Sequence, residues 1–465
     1  MSDIEVVRQA LIDELTPEQV DNSAAALEAS SHDTWPLSTK KARAGIHDHQ
    51  ADLVVRAGSE TDIETVLRVA AQHNLPVTVR ALASSVTGQP LPTRGGVVLD
   101  VATLPAGFTV DETDMVVTAS ASQPGGELED ALNAMGLTTG HSPQSLYRST
   151  VGGWVSTLAT GQFSSYYGGI EDLVTGYTAI LATGETVTFR ARPRAAMGPD
   201  LRHLLIGAEG TLGVITQVEL KVFRLPEVRE FAAYRIPTVQ TGLTALREIS
   251  ARGLHPFLVR FYDTAEAAHA TGDPGFGTPV LFLGSQGSRR MVDAELAELG
   301  DILQSVGGEL IGPELVLSWM DRRFDFSTVE RRLDAPGGFA ETIEVAHTWR
   351  GIEPLYEALR TALEPMADEV LAHFSHLYSQ GTSMYVILLG RAEDDATAIV
   401  QLEEIWATAM SVCLEHGAEL SHHHGGGLAR SRYAQESLGT AHKVLRRLKS
   451  SLDPDGVLNP GKLGL

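Results

Sequence analysis

The segment from residue 145 to residue 176 constrains the fold more than any other part of the chain. It reads SLYRSTVGGWVSTLATGQFSSYYGGIEDLVTG and combines small side chains with open backbone. Small residues let the main chain approach a phosphate group or a flat ring closely. Gly-Gly turns are also common in ordinary connections. The stretch therefore predicts either a phosphate-binding nest or a plain glycine-rich loop.

The composition indicates a large folded protein of enzyme size. The chain has 465 residues, 43% of them apolar, which is enough for two or three domains with their own cores. Its 36 Lys and Arg residues against 59 Asp and Glu residues give a net charge of −23, which repels nucleic acid and anionic bilayers. Cys413 is the single cysteine, so neither an intrachain disulfide nor a cysteine metal cluster can form.

The amino terminus, MSDIEVVRQALIDELTPEQV, lacks the basic start and apolar run of a signal peptide. No later segment approaches the roughly 20 apolar residues that span a bilayer. We therefore expect a cytoplasmic protein without stable insertion in a membrane.

The hydrophobic pattern divides the chain into four parts. Apolar residues at helical spacing predict an amino-terminal helical extension over residues 1–50. Residues 51–225 contain a β-α-β pattern, further strands and a hairpin around Gly184, which indicates a strand-rich α+β arrangement. Residues 226–427 alternate strands and helices and predict a second domain, and residues 428–465 carry a basic helix and the turn DPDG.

Four motifs, taken in order, resemble the flavin-binding domain of the vanillyl-alcohol oxidase superfamily, also called the PCMH-type FAD domain. They are DLVVRAGSETDIETVLRVAAQHNLPVTVR, STVGGWVST with GQFSSYYGGIEDLV, GAEGTLGVITQVELKV and, in the tail, DPDGVLNPGKL. The resemblance implies an α+β fold: a PCMH-type FAD-binding domain of two subdomains (51–225), with the tail (428–465) returning to it. It also implies an α/β substrate-binding cap with an antiparallel sheet (226–427) and FAD as the cofactor.

The family's flavin contacts carry over to four segments, which we call the flavin segments: Val79 to Ser85, Gln144 to Thr150, Thr157 to Thr160 and Glu209 to Ile215. The residues that the resemblance places at FAD are Val79, Arg80, Ala81, Leu82, Ala83, Ser84, Ser85, Gln144, Ser145, Ser149, Thr150, Gly152, Gly153, Thr157, Thr160, Glu209, Gly210, Thr211, Gly213, Val214 and Ile215.

The first flavin segment departs from the family pattern. Relatives usually have several consecutive glycines here, whereas this chain has Arg80-Ala81-Leu82-Ala83-Ser84-Ser85. Residues with a Cβ resist positive φ, so the loop either follows an ordinary backbone path or holds the pyrophosphate less tightly. The loop contains no histidine or cysteine, so the covalent flavin bond of some relatives is not expected. We predict non-covalent FAD.

The sequence SHHHGGG at residues 421–427 is a second concentration of reactive side chains. In an extended segment His422 and His424 would face one side and His423 the other, so at most two of them could bind one metal ion. A polar surface turn, a metal site completed by other ligands and a catalytic cluster are all compatible with this pattern. We predict the catalytic cluster and no metal.

HHHG and the upstream HFSHLYSQGTSMYV resemble the alkyldihydroxyacetonephosphate synthase (alkylglycerone-phosphate synthase) family. The hydroxy-acid dehydrogenases of the superfamily usually have Glu-His-Gly in place of HHG. In the synthases, the residue that matches Tyr385 donates or accepts a proton, and those that match His422, His423 and His424 support catalysis. The resemblance therefore implies catalytic roles for these four residues.

Three arginines are candidates for binding an anionic substrate. Arg260 matches an arginine that the synthases use near the substrate phosphate, and it lies in the apolar run FLVRFYD. An unpaired guanidinium is costly there, so Arg260 needs an anion, either a carboxylate of the protein or one from a ligand. Arg322 or Arg323, in WMDRRFDFS, lies where the synthases have another functional arginine.

The leading interpretation is a FAD-dependent oxidoreductase that acts on a small hydroxylated, anionic substrate, with Tyr385 or a histidine taking the hydroxyl proton. The alternative is the synthase reaction itself, a non-redox exchange of an acyl for an alkyl group. The synthases' tryptophan- and glycine-rich amino-terminal signature is missing here, and Leu158 replaces one of their arginines. A third interpretation is a non-catalytic flavin-binding protein, suggested by the unusual first flavin segment.

The partners that follow are small molecules. We expect a small-molecule substrate, an electron acceptor that is either oxygen or a carrier, and no nucleic acid. The oligomeric state is open, with a homodimer as one option.

Overall fold

The computed structural model describes residues 3–465, and the first hundred residues build a four-stranded sheet. The elements are α1 (Asp3–Glu14), β1 (Val20–Asp21), α2 (Ala24–Ser30), α3 (Pro36–Arg43), β2 (Leu53–Arg56), α4 (Glu60–Gln72), β3 (Val77–Arg80) and β4 (Val97–Asp100). The order is β1-β2-β4-β3, with β2 and β3 both parallel to β4. The predicted β-α-β unit is thus confirmed, and the hydroxyl of Ser59 caps the start of α4.

A five-stranded antiparallel sheet follows, in the order β5-β6-β10-β8-β9. Its part of the chain contains β5 (Phe108–Asp111), β6 (Val116–Ser120), α5 (Gly125–Ala134), β7 (Leu137–Thr138), α6 (Val151–Ser156), α7 (Ser164–Tyr167), α8 (Ile170–Leu173), β8 (Val174–Ile180), β9 (Thr186–Phe189), β10 (Val214–Lys221) and β11 (Phe223–Arg224). Strands β8 and β9 form the hairpin predicted around Gly184, where φ is +80°. A glycine accepts this left-handed conformation without steric cost.

Strands β7 and β11 form a small two-stranded sheet, and the largest sheet of the described residues has seven antiparallel strands in the order β15-β12-β14-β13-β17-β18-β16. Its part of the chain contains β12 (Val228–Arg235), α9 (Val239–Ala251), β13 (Leu258–Tyr262), α10 (Thr264–Thr271), β14 (Val280–Gly287), α11 (Arg289–Ser305), β15 (Glu309–Gly312), α12 (Glu314–Arg322), α13 (Ser327–Asp334), β16 (Gly338–Thr348), α14 (Ile352–Leu363), β17 (Glu369–Leu377), β18 (Gly381–Arg391), α15 (Asp395–Glu415), α16 (Gly427–Arg430), α17 (Ala434–Leu438) and α18 (His442–Leu452).

One face of the seven-stranded sheet is buried under helices, and this packing forms the largest apolar core of the described residues. Phe261, Phe374, Met384 and Ile343 lie in the same buried cluster as residues of α9, α11, α14 and α15. Burying such side chains contributes about 1.5–3 kcal/mol each. The packing fixes the sheet as a rigid support whose opposite face carries both polar residues and apolar residues of a second core, such as Leu258 and Phe282.

The helical segment before β2 and the carboxyl-terminal tail both contact distant parts of the chain. The Lys40 ammonium is buried and donates to the Ala335 carbonyl at 3.0 Å and to Asp395 at 2.8 Å. At the carboxyl end, Asn459 N donates to Val77 O at 2.7 Å, and Val77 N donates to Val457 O at 2.8 Å. The α+β class is confirmed, whereas the division at residues 50, 225 and 427 stays a prediction. No helix among residues 3–465 is both long and apolar enough to cross a bilayer.

Candidate active site

A row of polar side chains crosses the face of the seven-stranded sheet that lies opposite its helical core. Tyr262 pairs with His373, His373 pairs with Tyr385, and Tyr385 pairs with Glu344, across the strands β13, β17, β18 and β16. Directly opposed residues of antiparallel strands share a face, and so do alternate residues of one strand. Arg260, two residues before Tyr262, therefore lies on this face too. Two predicted site residues, Tyr385 and Arg260, are brought together by strand register.

Arg260 is held by neutral groups rather than by a protein carboxylate. Its Nε donates to the Tyr262 hydroxyl at 2.8 Å, and its Nη2 donates to His373 Nε2 at 3.0 Å. The Trp319 ring centroid lies 5.0 Å from its Cζ. The nearby carboxylates Asp263 and Glu266 instead contact Arg360 and His373. Of the two sources of an anion that the sequence leaves open, the geometry favours a ligand.

The three consecutive histidines lie in a tight turn, and the expectation of alternating faces in an extended segment is wrong. Glu344 causes the difference. Its carboxylate is fully buried and accepts hydrogen bonds from the backbone N–H groups of His422, His423 and His424 and from the Ser421 hydroxyl. One carboxylate can satisfy several converging donors in this way only if the chain curls around it.

Two further charged groups complete the turn. Arg430 pairs with Glu344 at 3.2 Å and donates to the carbonyls of Leu420 and Gly425. Glu209, from the fourth flavin segment, accepts from Gly426 N and Gly427 N. The turn at residues 421–427, which we call the histidine turn, is thus tied both to the sheet and to the predicted flavin site.

The imidazoles of the histidine turn gather with a fourth ring, that of His376. His422 Nδ1 and His423 Nδ1 are 2.8 Å apart, and the Tyr378 hydroxyl is 2.7 Å from His422 Nε2. His376 stacks on His422 with ring centroids 4.7 Å apart and contacts the Ser164 hydroxyl at 2.6 Å. It lies at a register shift of β17 with φ of +60°, a bulge that redirects its side chain.

One nitrogen from each of His376, His422 and His423 lies within 4.8 Å of the others, close enough for the three rings to share a cation. Sequence reasoning did not find this set. It treated residues 421–427 as a strand, in which adjacent side chains point apart, and it had no sign of the bulge at His376.

Burial keeps these histidines neutral at ordinary pH. It lowers the pKa of His422 and of His423 to about 3 and that of His424 to about 4, and it places the pKa of His376 well below its usual value. Burial also raises the pKa of Tyr385, so its hydroxyl stays protonated. The site therefore offers neutral imidazoles as proton acceptors and a phenol as a donor.

The flavin segments converge beside the histidine turn. Glu209 N donates to Ser156 O at 2.8 Å, which joins the fourth segment to the end of α6. Gly210 lies against Val79, with 3.4 Å between the position of a Cβ on Gly210 and the Val79 Cβ. The Thr150 hydroxyl caps α6 by accepting from Gly153 N. Arg80 points away, with its guanidinium on the carbonyls of Ala29 and Ser30.

The remaining predicted cofactor residues lie on these same loops and strand ends. Most are buried or half-buried, whereas Leu82 and Gln144 are exposed. They are Ala81, Leu82, Ser84 and Ser85 after β3, Gln144, Ser145, Ser149 and Gly152 around the start of α6, Thr157 and Thr160 after it, and Thr211, Gly213, Val214 and Ile215 leading into β10.

Backbone strain is concentrated in the flavin segments. Ala83, Leu158 and Glu209 have φ of +54°, +55° and +53°, one residue in each of three segments. Of the two alternatives for the first loop, an ordinary backbone path does not hold at Ala83. A non-glycine residue in this region costs about 1–2 kcal/mol, and such residues cluster at functional sites.

The residues around the flavin segments fit a polar, flat cofactor. Both ring nitrogens of His141, the Ser142 hydroxyl and the Gln162 Oε1 are buried and lack a hydrogen-bond partner among the described residues. Such groups are costly unless a ligand or water satisfies them. They border the second and third flavin segments, and Gln162 N bonds to Ser142 O at 2.9 Å. Sequence reasoning missed all three because His141 and Ser142 precede the family motifs and Gln162, within GQFSSYYGGIEDLV, is not among the flavin contacts that the resemblance carries over.

The two other predicted arginines lie on or next to α12. Arg322 is exposed, and its Nε donates to the Ser318 carbonyl at 3.1 Å. Arg323 lies 4.3 Å from the Phe324 ring centroid and 5.9 Å from that of Phe163, with a buried, unpaired Nε. A role for either residue in binding substrate stays a prediction.

Comparison with known proteins agrees with this architecture. The profile of a family described as "FAD binding domain" matches residues 51–190, and that of "FAD linked oxidases, C-terminal domain" matches residues 225–463. Structures of alkyldihydroxyacetonephosphate synthase and of p-cresol methylhydroxylase share the fold, each with a TM-score of 0.80. The synthase is 24% identical, and the match covers 98% of this chain and 85% of the synthase chain. The hydroxylase is 15% identical, and the match covers 100% of this chain and 97% of the hydroxylase chain.

The chain therefore has a PCMH-type FAD-binding fold and is an FAD-dependent enzyme. It belongs to the FAD-linked oxidases. The FAD-linked oxidoreductase YgcU of Escherichia coli (strain K12) is 32% identical over 428 residues, which cover 88% of each chain. Alkyldihydroxyacetonephosphate synthase of Dictyostelium discoideum is 26% identical over 461 residues, which cover 91% of this chain and 75% of that protein.

Replacement of Glu344 by Gln should lower the free energy of unfolding by about 3–5 kcal/mol at pH 7, because Arg430 loses its buried partner. The pKa of Glu344 is held below its unfolded value of 4.5 by Arg430, which opposes burial. The wild-type advantage should therefore be complete above pH 4.5 and shrink by about 1.4 kcal/mol per pH unit below it. Urea unfolding at several pH values measures this, with the exposed Glu357→Gln as control. A pH-independent difference would contradict it.

Replacement of Ala83 by Gly should raise the stability of the protein by up to about 1 kcal/mol, because glycine relieves the positive φ. Ala81→Gly in the same loop is the matched control and should not stabilise. Thermal unfolding of both variants with FAD bound tests the difference. Equal destabilisation by the two replacements would show that Ala83 is not strained.

Acid precipitation of the protein should leave the yellow colour in the supernatant, because the first flavin segment has no histidine or cysteine to form a covalent bond. The absorbance of supernatant and pellet at flavin wavelengths measures this directly. A yellow pellet would show a covalent bond.

Proposed function

We propose that this enzyme oxidises a small hydroxylated substrate that carries a carboxylate or phosphate group. Arg260 is the observation that supports this most strongly. Its guanidinium is half-buried on the same sheet face as Tyr385, and its Nη1 bonds to no group in residues 3–465. A guanidinium fork is well suited to carboxylate and phosphate oxygens. Bound FAD would supply the electron-accepting chemistry.

The neighbouring side chains can manage the proton that this oxidation releases. A hydroxyl group that becomes a carbonyl loses its proton to a base within hydrogen-bond reach. His423 is neutral, and in the tautomer whose Nδ1–H donates to His422 Nδ1 its Nε2 can accept the substrate proton. The ring of Tyr385 lies 6.0 Å from that of His423, so the protonated phenol can donate to the same substrate oxygen.

The second candidate function is the alkylglycerone-phosphate synthase reaction, in which acyl and alkyl groups exchange without net oxidation. The set of Tyr385 and three adjacent histidines supports it, together with the similarity to the Dictyostelium discoideum synthase. In that reaction Arg260 would bind the phosphate group of the substrate. The two functions differ in whether the flavin changes its redox state.

Anaerobic addition of hydroxy acids, sugars and glycerol-phosphate-type compounds should bleach the flavin band with at least one anionic compound. Arg260→Met should raise the concentration for half-maximal bleaching by about thirtyfold, the loss of a charged hydrogen bond. The exposed Arg252→Met is the matched control. Bleaching by neutral alcohols alone, unchanged in Arg260→Met, would contradict the proposal. An acyl-dihydroxyacetone-phosphate that perturbs the band without electron transfer would favour the synthase reaction.

A further inference from the structure

A chain of hydrogen bonds runs from α10 to the guanidinium of Arg260. Glu266 lies on the first turn of α10, where its backbone N–H donates to the capping Asp263 at 2.8 Å. Both carboxylate oxygens of Glu266 are 2.9 Å from His373 Nδ1. His373 Nε2 is 3.0 Å from Arg260 Nη2. Glu266 is 7% exposed and His373 4%, so little water competes for these bonds.

The directions of these bonds are fixed by Arg260. A guanidinium has only donors, so His373 Nε2 must accept and its proton must sit on Nδ1. That N–H then donates to Glu266. Burial and the charge of Arg260 both lower the pKa of His373, so the ring is neutral and has one proton to place. Burial raises the pKa of Glu266 to about 8 while Arg260 opposes this shift, and in either protonation state a carboxyl oxygen of Glu266 can accept the Nδ1–H bond. Glu266 thus supports the tautomer of His373 that holds Arg260.

The arrangement differs from an ordinary buried ion pair. A direct contact with Glu266 would occupy the guanidinium, whereas the interposed imidazole takes only Nη2. Tyr262 takes Nε, and Trp319 lies over the guanidinium. Nη1 is left without a partner in residues 3–465. An arginine side chain loses about 2 kcal/mol of conformational entropy when it is immobilised, so fixing it beforehand favours ligand binding.

We propose that Glu266 and His373 are positioning residues, which hold Arg260 so that Nη1 binds the carboxylate or phosphate group of the substrate. This inference rests on the proposed function, because it requires Arg260 to bind substrate. His373 has a second contact that suits the role: its ring stacks on Tyr385 with centroids 4.9 Å apart and planes at 13°. One imidazole thus sets the relative placement of the anion-binding and proton-handling side chains.

The test measures the binding of oxalate and of inorganic phosphate to the FAD-loaded full-length protein through perturbation of the flavin absorbance. Glu266→Gln can donate from its amide to His373 and so permits the wrong tautomer, while His373→Phe keeps the stack on Tyr385 but removes the acceptor. Each should weaken anion binding about tenfold. The half-buried Glu295→Gln, which lies away from this face on α11, is the matched control and should not change it.

Double variants that combine each of these replacements with Arg260→Met distinguish a positioning role from a general loss of structure. If Glu266 and His373 act through Arg260, neither replacement weakens anion binding further once Arg260 is Met. FAD affinity and the thermal midpoint should stay close to those of the control variant.

Three results would overturn the inference. They are unchanged anion binding in both single variants, additive losses in the double variants, or equal losses of anion and FAD binding. Absence of anion binding to the wild type would overturn the proposed anionic substrate together with the inference. Wild-type binding that the two replacements leave intact would overturn the inference alone.

Discussion

The site depends on one buried ion pair, between Glu344 on β16 and Arg430 on α16. The carboxylate of Glu344 is fully buried and receives three backbone N–H groups in addition to Arg430. Removal of either partner would leave an uncompensated charge in the core of the site, at a cost of about 3–5 kcal/mol. Because the backbone of the histidine turn supplies the donors, the ion pair also determines where the imidazoles lie. The contacts that compensate the buried charge of Glu344 are therefore the same contacts that fix the positions of the imidazoles.

The rest of the site follows from two supports that meet at this turn. The seven-stranded sheet places Arg260, His373 and Tyr385 on one face by strand register. The flavin segments approach from the other side, and Glu209 joins them to the turn through Gly426 and Gly427. The unfavourable φ values of Ala83 and Glu209 show that the chain accepts local strain where these supports meet. Substrate groups and cofactor can therefore be held against one another by rigid elements.

The sequence predicts those features that are local or carried by ordered motifs. The β-α-β unit around α4 and the hairpin at Gly184 follow from hydrophobic periodicity and a glycine position that are visible in the chain. The PCMH-type fold follows from the resemblance of four ordered motifs to a known family. Arg260 could be chosen because a charge in an apolar strand needs a partner. Glu344 and Glu266 could not be chosen, because nothing in their neighbourhood marks them. Their importance arises from contacts with residues far away in the chain, 80 residues on for His424 and 107 for His373.

We propose that the anion of the substrate binds at Arg260, beside Tyr385 and the histidine turn. A crystal structure of the FAD-loaded protein with oxalate tests it most directly. We expect a carboxylate group within hydrogen-bond distance of Arg260 Nη1, with the Tyr385 hydroxyl and His423 Nε2 facing the same ligand. Oxalate bound instead at Arg322 or Arg323, with Nη1 of Arg260 turned to a protein carboxylate, would contradict it.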